Sequence, residues 1–162
     1  MMFRPLATLA CLCLLSCTAQ PDAAAREPVP AEAPSVHPES GLEIISLAVN
    51  HNGRENRFRV EVARTQAEQA RGLMFRTALG DDEGMLFPRD PPGHASFWMK
   101  NTVIPLDIIF VGPDGRISNI AAMTTPYSLE SIPSEGIAIA VLEIRGGLAA
   151  ELGIVPGARV EW

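Results

Sequence analysis

The sequence predicts a mainly β domain, a small antiparallel, barrel-like sheet of seven or eight short strands with two short helices. Short apolar runs recur from residue 43 onward, and turn-forming residues separate them. One run, from Arg57 to Val62, alternates strictly between polar and apolar side chains, as a half-buried strand does. Only two segments have helical signals, which is too few to connect parallel strands in βαβ units.

The first part of the domain predicts two strands and one helix. An apolar stretch at 44–47 leads to a turn at 51–53, and the alternating run follows. A capping box then begins at Thr65, with Glu three residues later, and predicts the start of a helix. Gly72 suits the left-handed position that ends such a helix. The predicted buried positions of the alternating run are Phe58, Val60 and Val62.

The rest of the domain predicts further short strands and the second helix. Gly112-Pro113-Asp114-Gly115 is a strong hairpin signal between two apolar runs. One helical turn follows at 148–152, with Gly153 to end it. Pro88 is expected to stop the strand at 84–87, and the alternation of side chains extends the strand at 95–99 to Thr102. The remaining predicted strands are 106–111, 116–123, 137–144 and 159–162.

The N-terminal residues have the pattern of an export signal. In residues 1–16 a positive charge at Arg4 precedes a short apolar run. The segment that follows it, Leu-Leu-Ser-Cys, resembles the bacterial lipobox, which implies cleavage before Cys17 and acylation of that cysteine. Thr18 after the cysteine favours the outer membrane. The alternative is ordinary cleavage near residue 19 or 25, which would give an exported protein without a lipid.

A tether follows the signal. Residues 17–42 contain five prolines and few large apolar side chains, so they cannot bury enough surface to fold alone. We therefore expect a disordered tether there and one domain at 43–162. The partners expected on this basis are the membrane, through the lipid, and a small polar ligand or an envelope protein.

Composition excludes several classes of protein. The chain has 162 residues, with 13 Lys+Arg against 19 Asp+Glu and a formal net charge of −6, so it lacks the basic field of a general nucleic-acid binder. All three cysteines lie within the first 17 residues, which excludes a disulfide framework or a cysteine-based zinc site in the domain.

Several motifs occur in a consistent order along the domain. They are RGLMFR at 71–76, GMLF at 84–87, FWMKNT at 97–102, IPLDI at 104–108, VLEI at 141–144 and LGIVPG at 152–157. In these motifs the chain resembles the DUF192 family, a widespread prokaryotic domain of unknown function. The resemblance implies a domain that is often exported, and it implies no activity, cofactor or catalytic residue.

Two carboxylates interrupt apolar strands and need an explanation. Asp107 lies within 106–111, and Glu143 lies within 137–144. A buried, unpaired carboxylate would cost several kcal/mol, so we expect Asp107 to have either several N–H donors or a cationic partner, with Lys100, Arg71 and Arg76 as candidates. Either a structural ion pair or a ligand site would account for Asp107, and for Glu143 a pairing with an arginine is expected ahead of a catalytic role. The residues predicted to line a ligand cleft are Arg71, Arg76, Trp98, Lys100, Asn101, Thr102 and Asp107.

The preferred function is ligand or partner binding, without a cofactor, and whether the protein is an enzyme stays open. One alternative is a hydrolase of envelope carbohydrate that uses Asp107 and Glu143 as a pair of acids. Another is a Cu(I)-binding protein that uses His94, Met99 and Met123, since soft thioethers bind Cu(I). No other metal site is expected.

Overall fold

The computed structural model describes residues 35–162, which contain ten strands and two short helices. Strands predominate in this part of the chain, so the predicted mainly β class is confirmed. The elements are β1 (Ser35–Val36), β2 (Glu43–His51), β3 (Arg54–Val62), α1 (Gln66–Arg71), β4 (Glu83–Gly93), β5 (Ser96–Phe97), β6 (Leu106–Val111), β7 (Ile117–Ala121), β8 (Ile132–Pro133), β9 (Ala138–Arg145), α2 (Leu148–Leu152) and β10 (Arg159–Glu161).

Eight strands form one curved sheet. Its order is β1-β2-β3-β4-β9-β6-β7, and β10 also pairs with β2, while β5 and β8 form a separate two-stranded sheet. A single bridge between Arg116 and Arg159 connects the start of β7 to β10. The two ends of the sheet therefore approach each other, which gives the predicted barrel-like shape without a closed ladder.

One strand pair departs from the predicted antiparallel arrangement. β3 and β4 are parallel, and every other strand pair described is antiparallel. The connection between them contains α1, which begins at the predicted capping box: the Thr65 hydroxyl accepts from the Glu68 N–H, and the Glu68 carboxylate accepts from the Thr65 N–H at 2.7 Å. Gly72 ends the helix as predicted, with a positive φ of 48°, but its ψ of −138° is outside the left-handed helical region that the sequence suggests. One short helix thus suffices to return the chain for a parallel strand.

The sheet separates two apolar clusters. Side chains alternate along β6, so Ile109 and Val111 belong to a first cluster inside the curved sheet, with the predicted Phe58 and Val60. Leu106, Ile108 and Phe110 face the other way, into a second cluster that segments between strands cover. The covering side chains include Leu73, Leu79, Ala95 and Met99. Both faces of the sheet are therefore buried.

The predicted continuous strand at 95–102 is wrong. Only Ser96 and Phe97 are in a strand, because Asn101 has a φ of 56° and the Thr102 N–H donates to the Met99 carbonyl at 3.1 Å, which makes a turn. The prediction that Pro88 stops its strand is also wrong. β4 continues to Gly93, with an irregular register after Pro88.

Residues 35–42, which the sequence assigns to the tether, lie against the domain. β1 pairs with the start of β2, and the Ser40 hydroxyl donates to the carboxylate of the buried Glu61. The predicted signal peptide and Cys17 lie outside the described residues. No helix within 35–162 is long and apolar enough to span a bilayer.

Candidate ligand-binding site

A cavity of about 290 Å³ opens on the face of the sheet that carries the second apolar cluster. Its walls come from α1 and the residues after it, from β4, and from the segment that begins at β5. Three cations line it, namely Arg71, Arg89 and Lys100, and so do three aromatic rings, those of Phe87, Phe97 and Trp98. The cavity therefore combines positive charge with flat apolar surfaces.

The outer part of the cavity carries exposed cations. The Lys100 ammonium lies 5.1 Å from the centre of the Trp98 ring, which is itself 49% exposed. Arg71 projects from the last turn of α1 and is exposed. Within residues 35–162, neither Arg71 nor Lys100 forms a salt bridge with a carboxylate. Both cations are therefore available to an anion that enters the cavity.

Glu143 forms the inner wall of the cavity. β9 runs between β4 and β6, and Glu143 is opposite Met85 on one side and Ile108 on the other, two residues of the second apolar cluster. Its side chain is buried, and burial alone raises the pKa of the carboxyl from 4.5 to about 8. Among the described residues, no hydrogen-bond donor or cation contacts this carboxyl. At neutral pH it is therefore mostly protonated.

The backbone around Glu143 is tightly packed. A Cβ added at Gly84 of β4 would lie 2.6 Å from the backbone oxygen of Glu143. Only glycine thus allows β4 and β9 to approach each other at this position. The close approach fixes Glu143 relative to the residues of β4 that line the cavity.

Asp107 does not belong to this cavity. Its carboxylate is fully buried and accepts three backbone N–H groups, from Met123 and Gly147 at 2.8 and 2.9 Å and from Ala149 at 2.8 Å. Of the two expected alternatives, the N–H donors are present, supplied by the backbone of two loops, and a cationic partner is absent among the described residues. Asp107 fixes those loops and the start of α2.

The two candidate acids lie on opposite faces of the sheet. Asp107 is opposite Ile144 in the β6–β9 register, and the next pair along is Ile108 with Glu143. Neighbouring pairs in a sheet project to opposite faces, so Asp107 points to the first cluster and Glu143 to the second. This arrangement contradicts the expected hydrolase, which needs both carboxylates in one cleft.

Arg76 and Asn101 support the structure around the cavity without lining it. Arg76 donates to both carboxylate oxygens of the buried Glu61, at 2.8 and 2.9 Å, and pairs with Glu39 at 3.1 Å. The Asn101 carbonyl accepts from the Phe75 N–H at 2.9 Å. Of the predicted ligand residues, the cavity brings together Arg71, Trp98, Lys100 and Thr102.

Left-handed backbone occurs in the loops next to the cavity. Three of the five non-glycine residues within 35–162 that have a positive φ are Phe75, Asn101 and Tyr127. Asn101 lies between Lys100 and Thr102 of the cavity lining. Backbone hydrogen bonds join its segment to the other two loops, from the Phe75 N–H to the Asn101 carbonyl at 2.9 Å and from the Tyr127 N–H to the Thr102 carbonyl at 3.1 Å. Such conformations are costly for large side chains and are concentrated at binding sites in proteins.

Sequence reasoning missed several residues of the cavity. Arg89 was not expected, because Pro88 was taken to end the strand, yet Arg89 lines the cavity and its Nε is buried without a hydrogen-bond partner among the described atoms. Gln69 of α1 also lines it, and its amide donates to the carbonyls of Ala63 and Pro88. No local signal marks either residue.

The candidate copper ligands differ in their surroundings. Met99 is fully buried, and its sulfur accepts a hydrogen bond from the Thr124 hydroxyl. Met123 is 59% exposed, and His94 is exposed as well. In the part of the chain that the structure describes, no group of three or more His, Cys, Asp or Glu side chains is placed to hold a metal ion.

Comparison with known proteins finds similar solved structures. A protein of unknown function from Novosphingobium aromaticivorans DSM 12444 has a similar crystal structure, with a TM-score of 0.79 and 61% identity, over 82% of this chain and 94% of that one. A second similar structure, described as a candidate transcription regulator from Sinorhizobium meliloti 1021, has a TM-score of 0.72 and 34% identity, over 74% of this chain and 94% of that one. No curated protein matches the chain.

A family model described as an uncharacterised conserved family matches residues 47–162, nearly the whole of the described domain. Its span includes every motif from which the resemblance was drawn. The chain therefore belongs to the DUF192 family.

Proposed function

We propose that this DUF192 domain is a binding module for a small ligand with an anionic group, such as a carboxylate or a phosphate. One observation carries the proposal: Arg71 and Lys100, which lack a carboxylate partner among the described residues, line the same cavity as the aromatic ring of Trp98. A cation with no internal partner in a concave, partly apolar site is a ready ligand for an anion.

The cavity also sets the size of the ligand. Its volume, about 290 Å³, is at the small end of ligand pockets, so it suits a metabolite-sized molecule better than a polymer. Phe97 and Trp98 offer surfaces for the apolar part of such a molecule. Nucleic acid is not part of the proposal, because the formal net charge of the chain is −6.

The experiment is isothermal titration of the purified protein with acetate, benzoate, lactate and inorganic phosphate. We expect at least one of these probes to bind and each of the variants Arg71→Ala and Lys100→Ala to weaken it by about tenfold or more, since a hydrogen bond to a charged group contributes about 1.5–3 kcal/mol. Arg57→Ala is the matched control, because Arg57 is an exposed arginine of β3 outside the cavity. If all three variants bind the probe with the affinity of the wild type, the proposed site is contradicted.

The cellular part of the proposal is that the domain works in the envelope, anchored through lipid on Cys17. The apolar run and the lipobox-like residues that precede Cys17 support it. In cells, Cys17→Ser should release the protein from the membrane fraction into the soluble exported fraction, and Cys11→Ser should not. If both variants fractionate like the wild type, the lipid anchor is excluded.

A further inference from the structure

The carboxyl of Glu143 is the one buried acid in the described region that has no partner. Residues 35–162 bury three acidic side chains, those of Glu61, Asp107 and Glu143, each at most 5% exposed. Glu61 is paired with Arg76 in a two-point contact, and Asp107 accepts three backbone N–H groups. Because Glu143 lines the cavity, its carboxyl is open to water or to a ligand there, and no group of the described chain satisfies it.

We infer that the ligand of this cavity is a zwitterion, whose ammonium group binds the Glu143 carboxylate while its carboxylate binds Arg71 and Lys100. The inference rests on the proposed anion site and adds the second end of the ligand. An amino acid or a short aminoalkyl carboxylate has this chemistry. Glu143, Arg71 and Lys100 then each have a partner of opposite charge.

The charges around Glu143 favour an ammonium over a neutral group. The charged groups that line the cavity with it are Arg71 from α1, Arg89 from β4 and Lys100 from the turn after β5, and the residues opposite it on β4 and β6 are Met85 and Ile108. Burial is the cause of the raised pKa of Glu143, and these cations do not lower it. None of these cations lies within salt-bridge distance of Glu143, so its carboxyl has no positive partner among the described residues, and the ligand would supply one.

A metal ion and a hydroxyl group fit the site less well. Glu143 would be a single carboxylate ligand, and no group of three metal-binding side chains exists within the described residues. A hydroxyl group would not require an acid at this position, since a neutral amide would serve equally. An ammonium requires the ionised form of Glu143. For a pKa of about 8, the protonated form of this carboxyl exceeds the ionised form about tenfold at pH 7. A charge-assisted contact with the ammonium in a buried site can supply the free energy needed to ionise the carboxyl.

The experiment compares ligands that differ only in the ammonium group. The purified protein is titrated calorimetrically with alanine against propionate and lactate, and with γ-aminobutyrate against butyrate, from pH 6 to pH 8.5. We expect one zwitterion to bind at least about tenfold more tightly than its deaminated counterpart, and its affinity to rise by up to about tenfold per pH unit until the pH reaches about 8. Glu143→Gln should remove both the preference and the pH dependence, and Glu130→Gln, an exposed acid, should keep both.

Each outcome decides between the proposals. If propionate or lactate binds as tightly as alanine, and butyrate as tightly as γ-aminobutyrate, the zwitterion is excluded while the anion site stands. If the affinity for the zwitterion falls as the pH rises through 8, the zwitterion is also excluded and the anion site stands, because Glu143 would then act as a neutral donor. If no probe binds, with or without an ammonium group, the anion site fails as well. A preference for the zwitterion that survives in Glu143→Gln also excludes the inference.

Discussion

Replacing Glu143 with glutamine should remove a large pH dependence of the folding stability. In the folded protein burial raises the pKa of this carboxyl from 4.5 to about 8, whereas in the unfolded chain it ionises near its ordinary value. Between these two values the unfolded chain loses the proton and the folded protein keeps it. Folding stability therefore falls as the pH rises from 4.5 to about 8. Below pH 4.5 the carboxyl is protonated in both states, so Glu143 causes no loss of stability there.

The size of the effect follows from the shift in pKa. One pKa unit corresponds to about 1.4 kcal/mol, so the shift from 4.5 to about 8 corresponds to a loss on the order of 5 kcal/mol by pH 8. Glutamine has nearly the same shape and does not titrate. The stability of Glu143→Gln relative to the wild type should therefore increase by up to about this amount between pH 4 and pH 8.

Urea denaturation of both proteins at pH 4, 6 and 8 measures this difference. Other acids titrate in the same range, but they do so equally in both proteins, so the difference isolates Glu143. Glu130→Gln serves as the control, because that side chain is exposed and its stability curve should parallel the wild type. If the Glu143→Gln curve also runs parallel to the wild type from pH 4 to pH 8, Glu143 ionises normally in the folded protein and the description of the inner wall is wrong.

Three further substitutions test the structure around the cavity, each by urea denaturation at pH 7. Asp107→Asn should cost about 3 kcal/mol, because the amide cannot accept all three N–H groups; a loss under about 0.5 kcal/mol would contradict the contacts. Arg76→Met should cost about 3–5 kcal/mol by removing the arginine that contacts both oxygens of the buried Glu61, and the double variant with Glu61→Leu should recover most of it; no recovery would exclude the pair. Gly146→Ala should cost about 1–3 kcal/mol, because its Cβ would lie 2.9 Å from neighbouring backbone; a neutral result would mean that the loop is looser than described.

Local sequence signals predict the strands and helices, but they do not predict to which face of the sheet Asp107 and Glu143 project. The alternation at Phe58 and Val60 and the capping box at Thr65 involve residues close in sequence, and both are confirmed. Asp107 and Glu143 have the same sequence signal, a carboxylate in an apolar strand, yet one is buried against loop backbone and the other lines a cavity. The register between β6 and β9 places them on opposite faces, and a shift of one residue between the two strands would bring both carboxylates to the same face.

The partners of the predicted site residues were also beyond the sequence. Asp107 is satisfied by N–H groups 16, 40 and 42 residues further along the chain, and backbone donors leave no mark in side-chain identity. Trp98, Lys100 and Thr102 were grouped by an alternation that belongs to a strand, but a turn brings these same residues to one cavity. The grouping was useful although its structural reason was wrong.

The walls of the cavity come from stretches of chain that are far apart in sequence, namely 66–74, 87–89, 96–102 and Glu143. Such non-local contacts are slow to assemble, so the cavity is complete only when β4, β9 and β6 have paired. A ligand of this cavity would bind the native state and would bind the partly folded states that precede it only weakly. Its effect would consequently be kinetic protection, with slower unfolding and an unchanged rate of refolding.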